Sequence, residues 1–189
     1  MALAYRYAYP TRTRLEQGAD ALIHVIGAAW ALWLIVTPPL SAETLRAVTL
    51  LALFLVSAAY HFTPIDLSRE YLRRADHCMI FVTIAAVPTP VALAAGQIEW
   101  VVALWCMGLV GAWCKISIGQ WDDVASQACF FALGTVSAGL IIMHNGLAPV
   151  IWGGTWICAG LVVFNVTRLP FHMALWHLCV IGCLAAVAA

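Results

Sequence analysis

Two histidines, His172 and His177, stand in the segment Leu169–Leu178, where nearly every other residue is apolar. Two further polar groups, His61 and Asp76, adjoin long apolar stretches earlier in the chain. Burying an ionisable side chain in hydrocarbon costs roughly 2.5–3.5 kcal/mol on insertion scales, so such residues are candidates for a functional site. Imidazole nitrogens with a nearby carboxylate are typical of catalytic zinc, which takes three protein ligands and keeps one open position. These residue types indicate a metal or other polar site, in which Asp76 could orient water or act as a general base.

The spacing of the last two histidines is awkward for one shared metal ion. Residues 172 and 177 are five apart, which is about 140° of divergence around a helix of 3.6 residues per turn. Both could meet one ion only through a distorted helix start, either a frayed or tightened first turn after Pro170 or a one-residue bulge. His172 is therefore a conditional ligand. Hydrogen bonds between helices could also satisfy these polar groups without any metal.

The composition shows which solvent the elements around these residues must face. Of the 189 residues, 64% are hydrophobic and only 10% are charged, with a mean hydropathy of +0.94. Soluble proteins are about 45–50% apolar and about 25% charged, so most of this chain must lie in lipid. Nine Lys+Arg balance nine Asp+Glu, and no basic stripe is present. This charge pattern excludes nucleic acid as a partner.

Apolar runs long enough to cross a bilayer, about 20 residues each, predict an all-α membrane protein with seven transmembrane helices. The expected spans are roughly 20–37, 44–62, 76–95, 98–116, 123–143, 148–166 and 171–188. Short turns such as Gly96-Gln97 and Asn145-Gly146 connect them, as expected between antiparallel neighbours. The chain is therefore predicted to be one transmembrane domain over residues 1–189, with residues 1–19 as an N-terminal cytoplasmic segment.

The distribution of basic residues predicts the orientation. Cytoplasmic loops carry an excess of lysine and arginine. With seven spans, the N-terminus and the loops after spans two, four and six share one side, which holds eight of the nine basic residues, all except Arg46. The N-terminus is therefore expected in the cytoplasm and the C-terminus outside.

This topology brings polar residues from four spans to one depth, in the inner third of the membrane. They are Glu16, Asp20 and His24 in the first span, Ser57 and His61 in the second, Asp76 in the third, and His172 with His177 in the seventh. The first three are spaced by four residues and share one helix face. Ser57 lies one turn above His61 on the same face. The common depth is the main argument for one shared site.

Three ordered motifs in these spans resemble the hemolysin III family. They are Ser57-Ala-Ala-Tyr-His61, Arg73-Arg-Ala-Asp76-His-Cys-Met-Ile-Phe followed by Pro88-Thr-Pro90, and Pro170-Phe-His-Met-Ala-Leu-Trp-His177. The opening Glu16, Asp20 and His24 are similar to the acidic-x3-Asn-x3-His segment of that family. Hemolysin III proteins form the bacterial branch of the progestin and adipoQ receptors, in a superfamily that also contains alkaline ceramidases.

The resemblance implies a seven-helix protein of the bacterial inner membrane with a zinc ion near the cytoplasmic leaflet. Carried over by position, His61 and His177 would be zinc ligands, Asp76 would lie beside the metal and Ser57 would support it. The last motif of the family is His-x3-His, and Met173 stands where its first histidine belongs. His172 is one residue early, and thioether ligands favour softer ions than zinc.

Three functions are compatible with this set of residues. The first is a zinc-dependent hydrolase acting on an amide or ester bond of a lipid. The second is a non-catalytic lipid sensor or regulator whose polar cluster is structural, which Met173 favours. The third is a pore or cytolysin, which would need polar residues through the full membrane depth. The first two both require a lipid-like substrate or ligand, in addition to the bilayer itself.

Overall fold

The computed structural model describes residues 13–37, 39, 41–63, 68–118 and 123–188, and all regular secondary structure in this part of the chain is helical. The helices in chain order are α1 Arg14–Val36, α2 Ala42–Phe62, α3 Ser68–Ala86, α4 Thr89–Ala94, α5 Ile98–Ser117, α6 Asp123–Asn145, α7 Leu147–Asn165 and α8 His172–Ala188. Two of the basic residues used to predict the orientation, Arg6 and Arg12, lie outside the described residues, as does most of the predicted N-terminal segment.

Six helical stretches are long and apolar enough to cross a membrane, counting α3 and α4 together as Ser68–Ala94. The last helix, His172–Ala188, is apolar but has only 17 residues. At 1.5 Å per residue it is about 26 Å long, slightly less than the roughly 30 Å hydrocarbon core of a bilayer. The all-helical membrane architecture predicted from composition is therefore found, with six helices of spanning length and a shorter seventh.

Local sequence explains where the helices begin and where one is interrupted. Thr13 caps α1 in a capping box, in which its side chain accepts a hydrogen bond from the backbone of Glu16 and the Glu16 side chain accepts one from the backbone of Thr13. The break between α3 and α4 falls at Val87 and Pro88, because proline has no N–H for the helical ladder. The carbonyl of Ile84, four residues before Pro88, instead accepts a hydrogen bond from the Ser137 hydroxyl of α6 at 3.3 Å, and the Thr89 hydroxyl donates to the carbonyl of Ala85 at 2.9 Å.

In the packing, α1 lies between α2 and α8, and α8 in turn packs along α7. Close approach depends on glycine at two of these contacts. A Cβ on Gly27 of α1 would lie 2.5 Å from the ring of Phe54 on α2, and a Cβ on Gly160 of α7 would lie 2.8 Å from the Cβ of Cys179 on α8. Both distances are far below van der Waals contact, so these helices approach one another along glycine-lined seams.

Hydrogen bonds between helix ends show that successive long helices alternate in direction. Arg69 at the start of α3 donates to the carbonyls of Tyr60 and Thr63 at the end of α2, both at 2.8 Å. Arg74 of α3 donates to the carbonyl of Ile116 at the end of α5, at 3.2 Å. We call this the basic end of the bundle, defined by Arg69, Arg74 and Lys115. The starts of α1 and α8 lie at this end as well, because Asp20 near the start of α1 is hydrogen-bonded to His61 at the end of α2, and the N–H of Phe171 donates to Glu16.

Candidate metal centre

The first helix carries three acidic or basic side chains on one buried face. Glu16, Asp20 and His24 follow one another at intervals of four residues and are 7%, 0% and 3% exposed, whereas neighbouring apolar residues such as Leu22 and Val25 are mostly exposed. A helix whose polar face is buried and whose apolar face is exposed is inverted relative to a soluble amphipathic helix. This inversion is expected for a helix that turns its polar residues into the bundle and its apolar residues towards lipid.

Asp20 is hydrogen-bonded to three histidines, which lie on α1, α2 and α8. Its Oδ2 accepts a hydrogen bond from Nδ1 of His61 on α2 at 2.7 Å, and its Oδ1 accepts one from Nδ1 of His177 on α8, also at 2.7 Å. Its backbone oxygen accepts a third from Nδ1 of His24 at 2.7 Å. Carboxylate and carbonyl oxygens only accept, so the shared proton in each bond belongs to Nδ1. The Nε2 atom of each neutral ring is then left as an acceptor or metal ligand.

The four side chains converge tightly enough to surround one ion. One ligand atom from each of Asp20, His24, His61 and His177 lies within 4.8 Å of those of the other three, and all four residues are buried. The imidazole centroids are 4.3 Å apart for His24 and His177, 4.8 Å for His61 and His177, and 5.2 Å for His24 and His61. Three imidazoles with one carboxylate form a donor set that suits zinc and related transition metals better than magnesium or calcium.

Ser57 and Asp76 lie directly beside this group. The Ser57 hydroxyl is buried and lies 3.2 Å from Nε2 of His24, and it is also hydrogen-bonded to the Asp76 carboxyl group. It has a single hydrogen, so it can donate to only one of these two partners at a time. Asp76 is close enough to interact electrostatically with both His177 and Asp20. The two residues predicted to support catalysis thus connect α2 and α3 to the histidine group.

The structure places His172 outside the converging group. It is buried, and it is the first residue of α8, which continues as a regular α-helix from there past His177. The helix shows no bulge between residues 172 and 177. The irregularity of the backbone lies before the helix, where Phe171 has a left-handed conformation with φ of 59°. Because the helix is regular between residues 172 and 177, their divergence of about 140° persists. His172 is therefore not among the residues whose ligand atoms meet.

Sequence reasoning selected His61 and His177 but did not include Asp20 and His24 among the metal ligands. A signal for them was present, because two ionisable residues four apart on an otherwise apolar span must find partners inside the bundle. Met173, which stands at the position of the missing histidine in the family motif, is buried. The third histidine of the group, His24, comes instead from α1, as does Asp20, and the motif spacing alone did not connect this helix with α8.

These features define the class: a helical integral membrane protein with a buried group of one aspartate and three histidines at one end of its bundle. The sequence profile described as "Haemolysin-III related" matches residues 19–188. The chain therefore belongs to the haemolysin-III-related family, which confirms the resemblance found in its motifs.

Two curated relatives agree with this assignment. The chain is 25% identical to "Hemolysin-3" of Bacillus cereus over 188 residues, covering 88% of this chain and 86% of the relative. It is also 25% identical to "Hemolysin-3 homolog" of Bacillus subtilis (strain 168) over 154 residues, covering 76% of this chain and 72% of the relative. No solved structure matches the chain significantly.

Proposed function

We propose that this protein is an intramembrane zinc protein that hydrolyses an amide or ester bond of a lipid. The observation that carries the proposal is the environment of Asp20. Its side chain is fully buried, and among the described residues its ion-pair partners are three histidines rather than lysine or arginine. A buried carboxylate without a permanent cation is costly unless it binds a metal or a charged partner. A divalent cation among these side chains would remove that cost.

The hydrogen bonds support different roles for the three histidines and for Asp20. His24, His61 and His177 would be the zinc ligands, and Asp20 would orient them through their Nδ1–H groups, as carboxylates do for metal-bound histidines in other proteins. Three imidazole ligands leave one position open. A zinc ion there would supply Lewis acidity, which polarises a carbonyl group and activates water for attack.

Asp76 and Ser57 are the residues proposed to move and hold protons. In the hydrolysis, a water oxygen attacks the carbonyl carbon while Asp76 takes a proton from that water. The C–N or C–O bond then breaks, and Asp76 returns the proton to the leaving amine or alcohol. Ser57, hydrogen-bonded to Asp76 and close to His24, would keep the Asp76 carboxyl group oriented towards the histidines.

The proposal places the site in the cytoplasmic half of a bacterial inner membrane. It takes the shorter α8 as a seventh span, so that the N-terminus is cytoplasmic and the C-terminus is outside. Support comes from the positive-inside rule and from the presence of Arg69, Arg74 and Lys115 at the same end as the histidines. An amphiphile entering from the inner leaflet is then the expected substrate class, with its polar linkage at the depth of His61.

Metal content and lipid turnover test the proposal together. The purified full-length protein should contain about one zinc per chain, and His61→Ala should lose it, whereas His144→Ala at the opposite end of the bundle should keep it. Liposomes containing ceramide-like, phospholipid and sterol-ester substrates should show turnover that Asp76→Asn abolishes without loss of zinc. Absence of zinc from the wild type would refute the proposal at its first step.

A second candidate function is a non-catalytic sensor or regulator stabilised by its metal. The observation that favours it is that a ligand atom of Asp20 itself lies within 4.8 Å of those of the three histidines. With Asp20 as a direct ligand, four protein groups would complete a tetrahedral zinc site and leave no open position. This function predicts bound zinc and no lipid turnover in the wild type. Ion flux through the same liposomes would instead favour the pore hypothesis.

A further inference from the structure

One carboxylate ties the start of α8 to the start of α1. Oε1 of Glu16 accepts a hydrogen bond from the backbone N–H of Phe171 at 3.3 Å, while Oε2 accepts one from the backbone N–H of Thr13 at 3.1 Å. Glu16 is only 7% exposed. Each oxygen of the side chain therefore has its own role, one in capping its own helix and the other in holding a distant segment of the chain.

The segment it holds has an unfavourable backbone conformation. Among the described residues, Phe171 is the one non-glycine residue with a positive φ, at 59°. A bulky residue adopts this conformation only when its surroundings enforce it. Burial of the ring does not provide the reason, because Phe171 is 41% exposed. Its backbone is fixed on both sides, by Glu16 at the N–H and by the N–H of Leu175, which donates to its carbonyl at 2.9 Å.

This contact forms a second connection between the two helices that carry the metal centre. Glu16 precedes Asp20 by one turn, about 6 Å along α1, and Phe171 precedes His177 by six residues, about 9 Å along α8. Packing along α7 holds α8 in the bundle, and the Asp20–His177 hydrogen bond connects it to α1 at one height. The Glu16–Phe171 bond adds a second connection at another height, and the two together restrain the height and the tilt of α8 relative to α1.

We infer that Glu16 is a positioning residue of the metal centre, acting through the backbone of Phe171 to present His177 to Asp20. The inference rests on the proposed metal site, since it assigns Glu16 its role there. It requires the acceptor oxygen of Glu16 rather than its negative charge. A glutamine at position 16 has one acceptor oxygen instead of two, so it can accept from Phe171 or from Thr13 but not from both. Because loss of the Thr13 bond affects only the cap of α1, Glu16→Gln with its oxygen bonded to Phe171 should preserve the function that Glu16→Ala removes.

Capping of α1 is the competing explanation, and Thr13→Ala separates the two roles. This variant removes the threonine side chain that accepts from the backbone of Glu16 at 3.1 Å, but leaves the Glu16 carboxylate able to reach Phe171. Zinc affinity is measured on the purified full-length protein by competition with a chelator. Glu16→Ala should weaken zinc binding by about 10- to 100-fold, the range observed when groups that orient metal ligands are removed. Glu16→Gln and Thr13→Ala should both stay close to the wild type.

Hydrogen exchange of the metal-free protein provides a second measurement that does not depend on zinc. Peptides covering residues 166–178 should exchange faster in Glu16→Ala than in the wild type, Glu16→Gln or Thr13→Ala. If the wild type binds no zinc, the proposed function fails, but faster exchange in Glu16→Ala would still support the positioning of α8. Unchanged exchange in that variant would overturn it.

Two further outcomes would overturn the inference. Equal loss of zinc affinity in Thr13→Ala and Glu16→Ala would assign the effect to the helix cap, and equal loss in Glu16→Gln would show that one acceptor oxygen at position 16 is not sufficient. If Glu16→Ala does not fold, the double variant Glu16→Ala/Phe171→Gly replaces it, because glycine adopts a positive φ without strain. Recovery of folding and of zinc binding in the double variant would support the inference, and failure to recover them would contradict it.

Discussion

Replacement of Asp20 by asparagine tests the centre of the proposed site with almost no change in side-chain volume. The Asp20 carboxylate accepts from His61 and His177 at 2.7 Å each. An asparagine has one acceptor oxygen, so it can keep one of these bonds, while its NH2 group faces the other Nδ1–H. One charge-assisted hydrogen bond is worth about 1.5–3 kcal/mol, which corresponds to roughly tenfold to 100-fold in zinc affinity at 1.4 kcal/mol per decade.

Thermal unfolding in detergent at a buffered free zinc concentration measures this loss. At about 100 times the wild-type Kd, zinc stabilises the native state by about 2.7 kcal/mol. If Asp20→Asn weakens binding about 100-fold, the same zinc concentration equals the new Kd and the stabilisation falls to about 0.4 kcal/mol. Glu99→Gln is the matched control, because Glu99 is an exposed carboxylate at the start of α5.

The metal-free protein supplies the result that would refute the reasoning. Asp20→Asn removes a fully buried charge but leaves one Nδ1–H without its acceptor, so without zinc the two effects oppose each other and the unfolding temperature should stay close to that of the wild type. A large loss of stability without zinc, together with an undiminished response to zinc, would mean that Asp20 only joins the helices. The proposed link between Asp20 and a metal would then be wrong.

Three further predictions concern neighbouring positions. His172→Ala should leave zinc stoichiometry unchanged, because the residue points about 140° away from His177 on a regular helix; loss of zinc by metal analysis would contradict this. Met173→His places an imidazole four residues before His177, about 40° away around the helix. In the Asp20→Asn background this variant should raise the zinc affinity, measured by chelator competition, at least about tenfold, or about 1.4 kcal/mol. Gly160→Ala should lower the free energy of unfolding by about 1–3 kcal/mol, because the added methyl group overpacks α7 against α8. Denaturant titration measures this loss. Gly154→Ala is the control and should be nearly neutral, since a Cβ at Gly154 meets nothing within 4 Å.

The sequence by itself determined the solvent and the secondary structure of this protein. Apolar runs must form helices in lipid, because every backbone polar group has to be hydrogen-bonded within its own segment. The break before Thr89 and the start of α1 at Thr13 likewise depend on local chemistry, a proline and a capping box. The family could also be predicted from the sequence, since the ordered motifs around His61, Asp76 and His177 are local patterns.

Only the tertiary structure decided which polar residues meet. Depth in the membrane can be counted along the chain, and it correctly grouped Asp20 and His24 with His61 and His177. Membership of the site depends in addition on the rotation of each helix and on which helices are neighbours. Packing of α1 between α2 and α8 turns Asp20 towards two histidines at once. The left-handed Phe171 sets the start of α8. The regular helix after it keeps His172 away from the group, because helix geometry separates His172 from His177 by an angle that depth in the membrane does not reveal.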